Sequence, residues 1–313
     1  MKYNHYVDGC PLVSEIGFGA WQLGNNIDWS PMTDEEAIAL VHEALRQGVN
    51  FFDTSPNYAL GNSERLLGIA LKKVPRDTIV VSTKFGHHSD GSQNYDAKAI
   101  RASVVGSLQR LQMDYIDSVL IHSPDPKYLD GNLNEHYEVF ESLKKEGLIK
   151  AYGASLENSK DMITFMETTK GQVIEAFFNI LHQDARFAFD LAIEKGVAII
   201  AKIPLDSGWL SGKYNKKSTF EGIRERWTRE DIEKRSMLVD QLRFLSNNLT
   251  TLPQVAINYC LSYEAVSTVI PGAKNTKQLE ANIKAVQQPL DADLVQWLEK
   301  FYVKEVIGQK LVW

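Results

Sequence analysis

Cysteine is scarce in this sequence, and long apolar runs are absent. The two cysteines, Cys10 and Cys260, lie far apart and outside any Cys-x-x-Cys spacing, which excludes a cysteine-rich zinc site and gives no sign of a disulfide framework. The most apolar run, Gly196 to Leu205, is about half the length that spans a bilayer and contains Lys202. We therefore expect a cytoplasmic protein, in which the Asn248-Leu249-Thr250 sequon has no significance.

The sequence also lacks an excess of positive charge. Its 34 Lys and Arg residues against 40 Asp and Glu residues give a net charge of −6, which argues against a nucleic acid or an anionic membrane as partner. The chain is otherwise ordinary for a globular protein, with 44% hydrophobic and 24% charged residues. Its 313 residues suit one large α/β domain, and we expect a single domain across residues 1–313.

Short apolar runs alternate with longer amphipathic segments along the whole chain. The runs have the length and composition of strands buried on both faces. They are Glu15–Ala20, Asn50–Asp53, Thr78–Thr83, Tyr115–Ile121, Ile149–Ser155, Val173–Phe178, Val197–Ile203 and Ala265–Ile270. Helix start signals lie between them, such as a capping box at Thr33 and Glu36 and a candidate N-cap at Asp96.

This alternation predicts the fold. No G-x-G-x-x-G follows any of the runs, which argues against an open dinucleotide-binding sheet. We predict an α/β fold of one closed (β/α)8 TIM barrel, in which eight parallel strands are surrounded by a ring of helices. A short N-terminal hairpin and extra C-terminal helices complete the prediction.

One long segment, residues 206–230, is rich in Lys and Arg and has little apolar periodicity. We expect it to be a loop that contacts cofactor or substrate, because long loops after barrel strands commonly carry ligand contacts. The tail Leu311-Val312-Trp313 is a second candidate for shaping the pocket.

Four chemically distinctive residues come at or just after three consecutive predicted strands. Asp53 ends the second strand and Tyr58 follows it, Lys84 comes at the end of the third, and His122 directly follows the fourth. Each residue alone has an ordinary structural explanation. Because the carboxyl ends of barrel strands form the active site, the ordered set predicts that these side chains converge.

The set suits the reduction of a carbonyl group. Addition of hydride to a carbonyl leaves an alkoxide, which the phenol of Tyr58 can protonate. We expect the ammonium of Lys84 to lower the pKa of Tyr58 from its ordinary value of about 10, and Asp53 to keep Lys84 charged and oriented. His122 can hydrogen-bond the carbonyl oxygen and align the substrate.

Several motifs resemble the aldo-keto reductase superfamily. The first is Phe52-Asp53-Thr54-Ser55-Pro56-Asn57-Tyr58 with Gly61-Asn62-Ser63-Glu64 after it. Ser82-Thr83-Lys84, Ile121-His122, Gly153-Ala154-Ser155 and Ile270-Pro271-Gly272-Ala273-Lys274 follow in the order typical of that family. The resemblance implies a barrel that binds a nicotinamide cofactor without a Rossmann motif and acts on a small aldehyde, ketone, sugar or the corresponding alcohol.

The resemblance also implies roles for individual residues. It makes Asp53, Tyr58, Lys84 and His122 a catalytic tetrad, and we expect Trp21, Tyr58, Phe85 and His122 to contact the substrate. The implied cofactor contacts are Gly19, Ala20, Trp21, Asp53, Ser155, Glu175, Lys202, Leu205, Ser207, Gly208, Leu210, Lys213, Gly272, Ala273, Lys274, Gln278 and Asn282. No metal is implied.

Three positions depart from the usual pattern of that family. Leu156 stands where Asn is usual, Glu175 where Gln is usual, and Lys202 where many members stack an aromatic residue under the nicotinamide. Cofactor preference depends on Lys274, a cation at the start of a predicted helix that suits a 2′-phosphate. We expect NADP(H), with NAD(H) kept open.

Other functions remain open. One is an NAD(H)-dependent aldose or polyol dehydrogenase of the same family, and another is a cofactor-binding, redox-sensing regulatory subunit. A metal-dependent barrel hydrolase is disfavoured, because its strand ends would carry clusters of His and Asp. The adjacent pair His87-His88 is interpreted as loop residues at the rim of the pocket.

Overall fold

The computed structural model describes residues 1–247, 250–309 and 311. Two residues of the sequon, Asn248 and Leu249, and two of the tail, Val312 and Trp313, lie outside the described residues, as does Lys310. Within the described ranges, no helix is both long and apolar enough to cross a membrane.

A short antiparallel hairpin precedes the main sheet, as predicted. Its strands are β1 (Tyr3–Asn4) and β2 (Val13–Ser14), paired antiparallel. The parallel strands that follow are β3 (Phe18–Gly19), β4 (Phe51–Asp53), β5 (Val80–Phe85), β6 (Ile116–His122), β7 (Ile149–Leu156), β8 (Val173–Phe177), β9 (Ala198–Lys202) and β10 (Val266–Val269).

The parallel strands form a closed barrel. Their order in space is their order in the chain, and every neighbouring pair is parallel. Parallel bridges between Ile16 and Val269, and between Gly19 and Gly272, join the first strand to the last. The predicted (β/α)8 barrel is therefore confirmed, and each predicted strand segment overlaps one strand, with β5, β6 and β7 extending one or two residues beyond the predicted ends.

Helices surround the sheet. They are α1 (Asp34–Arg46), α2 (Asn62–Leu71), α3 (Ile100–Leu111), α4 (His136–Lys145), α5 (Ser159–Thr168), α6 (Phe189–Lys195), α7 (Arg229–Leu242), α8 (Leu252–Leu261), α9 (Thr276–Lys284) and α10 (Ala292–Phe301). Thr33 and Glu36 form the predicted capping box of α1. Asp96 caps a 3-10 turn, Ala97–Ala99, that leads into α3, so the predicted start of that helix is a separate turn.

The amino-terminal end of the barrel is filled with apolar side chains. Phe51, Val80 and Ala198, at the starts of their strands, pack in one buried cluster with Tyr6 of the hairpin segment. The Tyr6 ring meets Phe51 edge to face, and its hydroxyl lies 2.7 Å from Ser118 Oγ. Because this end is filled by side chains, we expect a ligand to bind at the carboxyl end of the barrel.

The segment 206–230 folds around aromatic side chains. It contains two 3-10 helices, Asp206–Ser211 and Gly222–Arg226, and helix α7 begins at Arg229. Trp209 is fully buried, and its ring contacts the rings of Tyr214, Phe220 and Trp227. The segment is thus anchored by its own core.

Gly153 provides a test of the strand packing. A Cβ at this position in β7 would lie 1.8 Å from the carbonyl oxygen of Val173 in β8, to which Gly153 is paired. We expect Gly153→Ala to lower the free energy of unfolding by about 3 kcal/mol, since overpacking forces the strands apart. Urea unfolding followed by circular dichroism measures this.

Gly308→Ala is the matched control, because a Cβ at position 308 meets no atom within 4 Å. Equal stability losses in the two variants would contradict the close approach of β7 to β8.

Candidate active site

The carboxyl ends of β4 and β5 hold a buried ion pair. Lys84 Nζ donates to both carboxylate oxygens of Asp53, at 2.7 and 2.8 Å, and to the carbonyl oxygen of Thr54 at 3.0 Å. Both side chains are almost wholly removed from solvent. Since both oxygens of Asp53 accept from the ammonium, the geometry stabilises the charged form of each partner.

A second carboxylate, Glu175 at β8, flanks the same lysine. Glu175 Oε2 lies 3.1 Å from Lys84 Nζ. Glu175 Oε1 accepts from Ser155 Oγ at 3.1 Å, and Ser155 Oγ accepts in turn from Lys202 Nζ at 2.8 Å. Asp53, Lys84, Glu175 and Lys202 thus form one chain of contacts, in which Ser155 links Glu175 to Lys202. The formal charges of the two lysines and the two carboxylates cancel.

Burial and charge oppose each other in this cluster. Burial disfavours the ammonium of Lys84, but the carboxylates of Asp53 and Glu175 raise its pKa well above the ordinary value. Burial lowers the pKa of Lys202, and the opposing charges of Glu175, Glu157 and Asp53 do not fully offset it. Despite burial, Lys84 and Lys202 lower the pKa of Glu175, whereas burial and the charge of Glu175 raise that of Asp53.

Tyr58 is placed beside this cluster by a sharp turn. Ala59, Leu60 and Gly61 have φ values of 52°, 53° and 86°, and helix α2 begins at the next residue. Lys84 Nζ lies 5.1 Å from the centroid of the Tyr58 ring, and the ring of Trp21 stacks on the Tyr58 ring with centroids 6.0 Å apart.

The acidity of Tyr58 differs from the sequence expectation. Burial raises the pKa of its phenol above the ordinary value, and the nearby charge of Lys84 lowers it by less than burial raises it. The expected lysine effect is therefore present but smaller than desolvation. The phenol remains protonated at neutral pH.

His122 lies edge-on to Tyr58, with ring centroids 6.0 Å apart. Its Nδ1 is 3.2 Å from Ser55 Oγ, and its ring stacks on His87 at 4.3 Å. Burial, together with the charges of Lys84, His87 and Lys202, lowers the pKa of His122 well below its ordinary value, so the imidazole is neutral. His87, interpreted as a rim residue, is in direct contact with the site.

Phe85 does not face the site, contrary to the sequence expectation. Successive residues of a strand point to opposite faces, and Lys84 points into the barrel. Phe85 therefore points outward, where it is fully buried against Phe140 of α4 and the ring of Tyr95. Leu156 likewise points away from its inward neighbour Ser155 and packs in the core between sheet and helices.

One group of predicted cofactor residues lies where the barrel closes. Gly19 pairs with Gly272, and the side-chain amide of Asn282 donates to the carbonyl oxygen of Gly272 at 3.3 Å. The backbone N–H of Lys274 donates to Gln278 Oε1 at 3.0 Å. Asn275, which precedes α9, caps this helix, so the segment from Gly272 to Asn282 is one ordered unit with Lys274 exposed on it.

A second group follows β9. Ser207 and Gly208 have φ values of 53° and 99°, and a Cβ on Gly208 would lie 3.2 Å from the Tyr214 ring and 3.4 Å from Arg224. Arg226 Nη2 donates to Ser207 Oγ at 3.4 Å. Sequence reasoning noted the basic character of this loop but missed these two arginines, because only folding brings them to the turn.

The remaining residues of the second group lie around the same turn. Leu210 is fully buried beneath it, Leu205 is partly buried, and Lys213 is exposed with its ammonium 4.7 Å from the centroid of the Tyr214 ring.

Arg224 also connects this loop to the mouth of the barrel. Its guanidinium lies 4.7 Å above the ring of Trp29, and Trp29 meets Trp21 edge to face at 5.2 Å. The buried polar atoms without a hydrogen-bond partner among the described residues include Gln22 Oε1, Trp29 Nε1 and Arg224 Nε. Buried polar atoms normally have partners, so the N–H groups of Trp29 and Arg224 suit an anionic ligand, and Gln22 Oε1 suits a hydrogen-bond donor on it.

The geometry therefore combines a proton donor, a charged lysine and a neutral imidazole with a basic cleft. In the part of the chain that the structure describes, no group of three or more His, Cys, Asp or Glu side chains is arranged to hold a metal ion.

Comparison with known proteins gives one consistent family. Residues 15–303 match the Aldo/keto reductase family. The chain is 31% identical to the L-galactose dehydrogenase of Arabidopsis thaliana, covering 88% of this chain and 85% of that one. It is 30% identical to the NADH-specific methylglyoxal reductase of Escherichia coli (strain K12), covering 90% and 92%. The solved structure of the aldo-keto reductase AKR11C1 from Bacillus halodurans, in its holo form, is similar with a TM-score of 0.80 at 28% identity, covering 98% and 99%.

The buried ion pair predicts a large effect on stability. Asp53→Asn removes one of the two carboxylates that hold Lys84 in its charged form, so we expect the free energy of unfolding to fall by about 3 kcal/mol. Urea unfolding at neutral pH measures the change.

The control is Glu146→Gln, which breaks the solvent-exposed pair of Glu146 with Arg101 and should cost less than about 1 kcal/mol. A loss in Asp53→Asn as small as that of the control would show that Lys84 does not depend on Asp53.

Proposed function

This chain belongs to the aldo/keto reductase family and is an oxidoreductase of that family, and from this premise we propose that it interconverts a small carbonyl compound and its alcohol with NADP(H). The substrate class is an aldehyde, a ketone or a sugar. One observation carries the proposal: the buried pair of Asp53 and Lys84 lies beside the protonated phenol of Tyr58, at the open end of the barrel.

We propose that Tyr58 is the general acid of the reduction. A bound nicotinamide would supply the hydride for the carbonyl carbon. Tyr58 donates its proton to the carbonyl oxygen, and the ammonium of Lys84 stabilises the phenolate that remains. Asp53 and Glu175 keep Lys84 charged and in position. In the direction of oxidation the phenolate accepts the proton of the alcohol.

We propose that the cofactor lies along the cleft in three parts. Gly19, Ala20, Trp21, Asp53, Ser155, Glu175 and Lys202 are proposed for the nicotinamide end. Leu205, Ser207, Gly208, Leu210 and Lys213, with Arg224 and Arg226, are proposed for the pyrophosphate. Gly272, Ala273, Lys274, Gln278 and Asn282 are proposed for the adenosine end, where the cation of Lys274 favours a 2′-phosphate.

An NAD(H)-dependent aldose or polyol dehydrogenase is the second candidate. The relatives that favour it are the L-galactose dehydrogenase and the methylglyoxal reductase described as NADH-specific. Lys274 supports NADP(H) over this alternative, because an NAD(H) enzyme has no phosphate to pair with a cation at this position.

The role of Tyr58 is tested by Tyr58→Phe together with the pH dependence. The raised pKa of Tyr58 keeps the phenol protonated through neutral pH. We therefore expect kcat/KM for reduction of an aromatic aldehyde to stay constant there and to fall only above about pH 10. The lowered pKa of His122 predicts no inflection near pH 6.5. Oxidation of the alcohol, which needs the phenolate, should rise with pH.

Tyr58→Phe should lower kcat by about a thousandfold while nucleotide binding, followed by tryptophan fluorescence, is unchanged. Full turnover in this variant would rule out Tyr58 as the acid. Nucleotide binding by the wild type without turnover of any aldehyde or sugar would favour the redox-sensing subunit instead.

Cofactor preference is tested by Lys274→Ala. Loss of one charged contact to the 2′-phosphate should weaken NADPH binding about tenfold and leave NADH binding unchanged. Fluorescence titration with both nucleotides measures the two dissociation constants.

Lys277→Ala is the matched control, since Lys277 is also an exposed lysine and lies in the first turn of α9. Equal weakening of NADPH and NADH binding by Lys274→Ala would contradict the assignment of the 2′-phosphate to this residue.

A further inference from the structure

One layer of polar side chains lies at the open end of the barrel. Alternate residues of a strand point into the barrel, and Ala198 and Ile200 of β9 belong to its apolar interior. Lys202 is two residues beyond Ile200, at the end of the same strand, and therefore points into the barrel as well. The layer consists of Asp53, Lys84, His122, Ser155, Glu175 and Lys202.

The two lysines of this layer differ in their hydrogen bonds. An ammonium group has three N–H donors, and Lys84 uses them on the two carboxylate oxygens of Asp53 and on the carbonyl oxygen of Thr54. Among the described residues, Ser155 Oγ at 2.8 Å is the one hydrogen-bond acceptor of Lys202 Nζ. The charged form of Lys202 therefore has more N–H groups than acceptors, whereas a neutral amine needs fewer acceptors and offers a lone pair.

The surroundings of Lys202 also favour loss of its proton. Burial lowers the pKa of Lys202, the charge of Lys84 lowers it further, and the charges of Glu175, Glu157 and Asp53 oppose this without fully offsetting it. Lys202 is 7% exposed, against 1% for Lys84. Of the two lysines, Lys202 is thus the one that gives up a proton more readily and meets solvent.

We propose that the ε-amine of Lys202 is a carbonyl-reactive group, which condenses reversibly with small aldehydes to form an imine. The lone pair of the neutral nitrogen attacks the carbonyl carbon, and the carbinolamine that forms loses water. A C=N bond replaces the C=O bond, and no oxidant or reductant is consumed. A buried lysine that is readily deprotonated is the type that takes up this chemistry in proteins.

The consequence for the site rests on the proposed function, which assigns Lys202 to the nicotinamide end of the cofactor. An imine nitrogen has no N–H left to donate to Ser155, and it adds the alkyl group of the aldehyde to the polar layer. The imine and the nucleotide therefore exclude each other, so a high concentration of aldehyde blocks the protein that has no nucleotide bound.

The imine is detected by trapping in the wild-type protein without nucleotide. Propanal and sodium cyanoborohydride at neutral pH convert an imine into a stable propylamine, which peptide mass spectrometry locates. We expect the propyl group on Lys202 and none on Lys84, whose N–H groups are all engaged. The exposed Lys277 is the internal reference. An unlabelled Lys202 in protein whose Lys277 is fully labelled would overturn the proposal.

The pH dependence identifies the reactive form. The neutral fraction of a lysine in water rises about a hundredfold from pH 7 to pH 9, and that of a lysine with a lowered pKa rises less. The ratio of label on Lys202 to label on Lys277 in one sample cancels the pH dependence of the reagents. We expect this ratio to be about threefold or more higher at pH 7 than at pH 9. A ratio that does not change would show that Lys202 reacts as an exposed lysine does, against the proposal.

Lys202→Arg is the matched variant for the effect on the nucleotide, because it keeps the positive charge and forms no imine with propanal. After trapping, the wild type should bind NADPH about tenfold more weakly, as measured by tryptophan fluorescence, and Lys202→Arg should bind it as before treatment. Lys202→Gln serves if the arginine is not accommodated. NADPH added before propanal should protect Lys202 from the label.

Equal weakening in the wild type and in the variant would assign the effect to surface lysines and overturn the block on nucleotide binding. Absence of nucleotide binding by the untreated wild type would refute the proposed function instead. The label on Lys202 is measured by mass, without turnover or nucleotide, so the two failures are distinguishable.

Discussion

The site depends on a lysine ammonium held in its charged form inside the barrel. A buried charge is costly unless it is paired, and Lys84 is paired with Asp53 and Glu175 from two other strands. These contacts require the ends of β4, β5 and β8 to stay in register. The closed sheet and its packed amino-terminal end provide that rigidity, so the position of the phenol of Tyr58 follows from the pairing of the lysine.

Two of the departures from the usual family pattern are partners of each other. Lys202 donates to Ser155, which donates to Glu175, and Glu175 lies against Lys84. A glutamate without Lys202 would leave the cluster with an excess negative charge, and Lys202 without the glutamate an excess positive one. The two residues are best understood as one charge-balanced unit, which explains how both are tolerated in a buried place. The third departure, Leu156, belongs to the packing between sheet and helices.

The cleft beside the tetrad is assembled from segments far apart in the chain. Arg224 lies against Trp29 from the loop after β3, and Arg226 reaches Ser207 at the turn after β9. The aromatic core around Trp209 holds these arginines in place, because it anchors the loop that carries them. The positive charge at the cleft therefore depends on the apolar packing that anchors the loop beneath it.

The sequence by itself determined the barrel, the place of each strand and the ordered appearance of Asp53, Tyr58, Lys84 and His122. These features follow from local periodicity, from capping signals such as Thr33 with Glu36, and from the rule that the carboxyl ends of the strands lie at one end of the barrel. Exact element boundaries do not follow from these signals, because Asp96 caps a separate 3-10 turn, Ala97–Ala99, ahead of α3.

Only the tertiary structure decided which way these side chains point, what they contact and how their pKa values shift. The sequence prediction for Phe85 was wrong because inward and outward faces were not assigned residue by residue along β5. The direction of the pKa shift of Tyr58 depends on desolvation, which arises when the surrounding elements pack. The stacking of His87 on His122 and the contacts of Arg224 and Arg226 likewise depend on neighbours distant in the chain, and no local pattern encodes them.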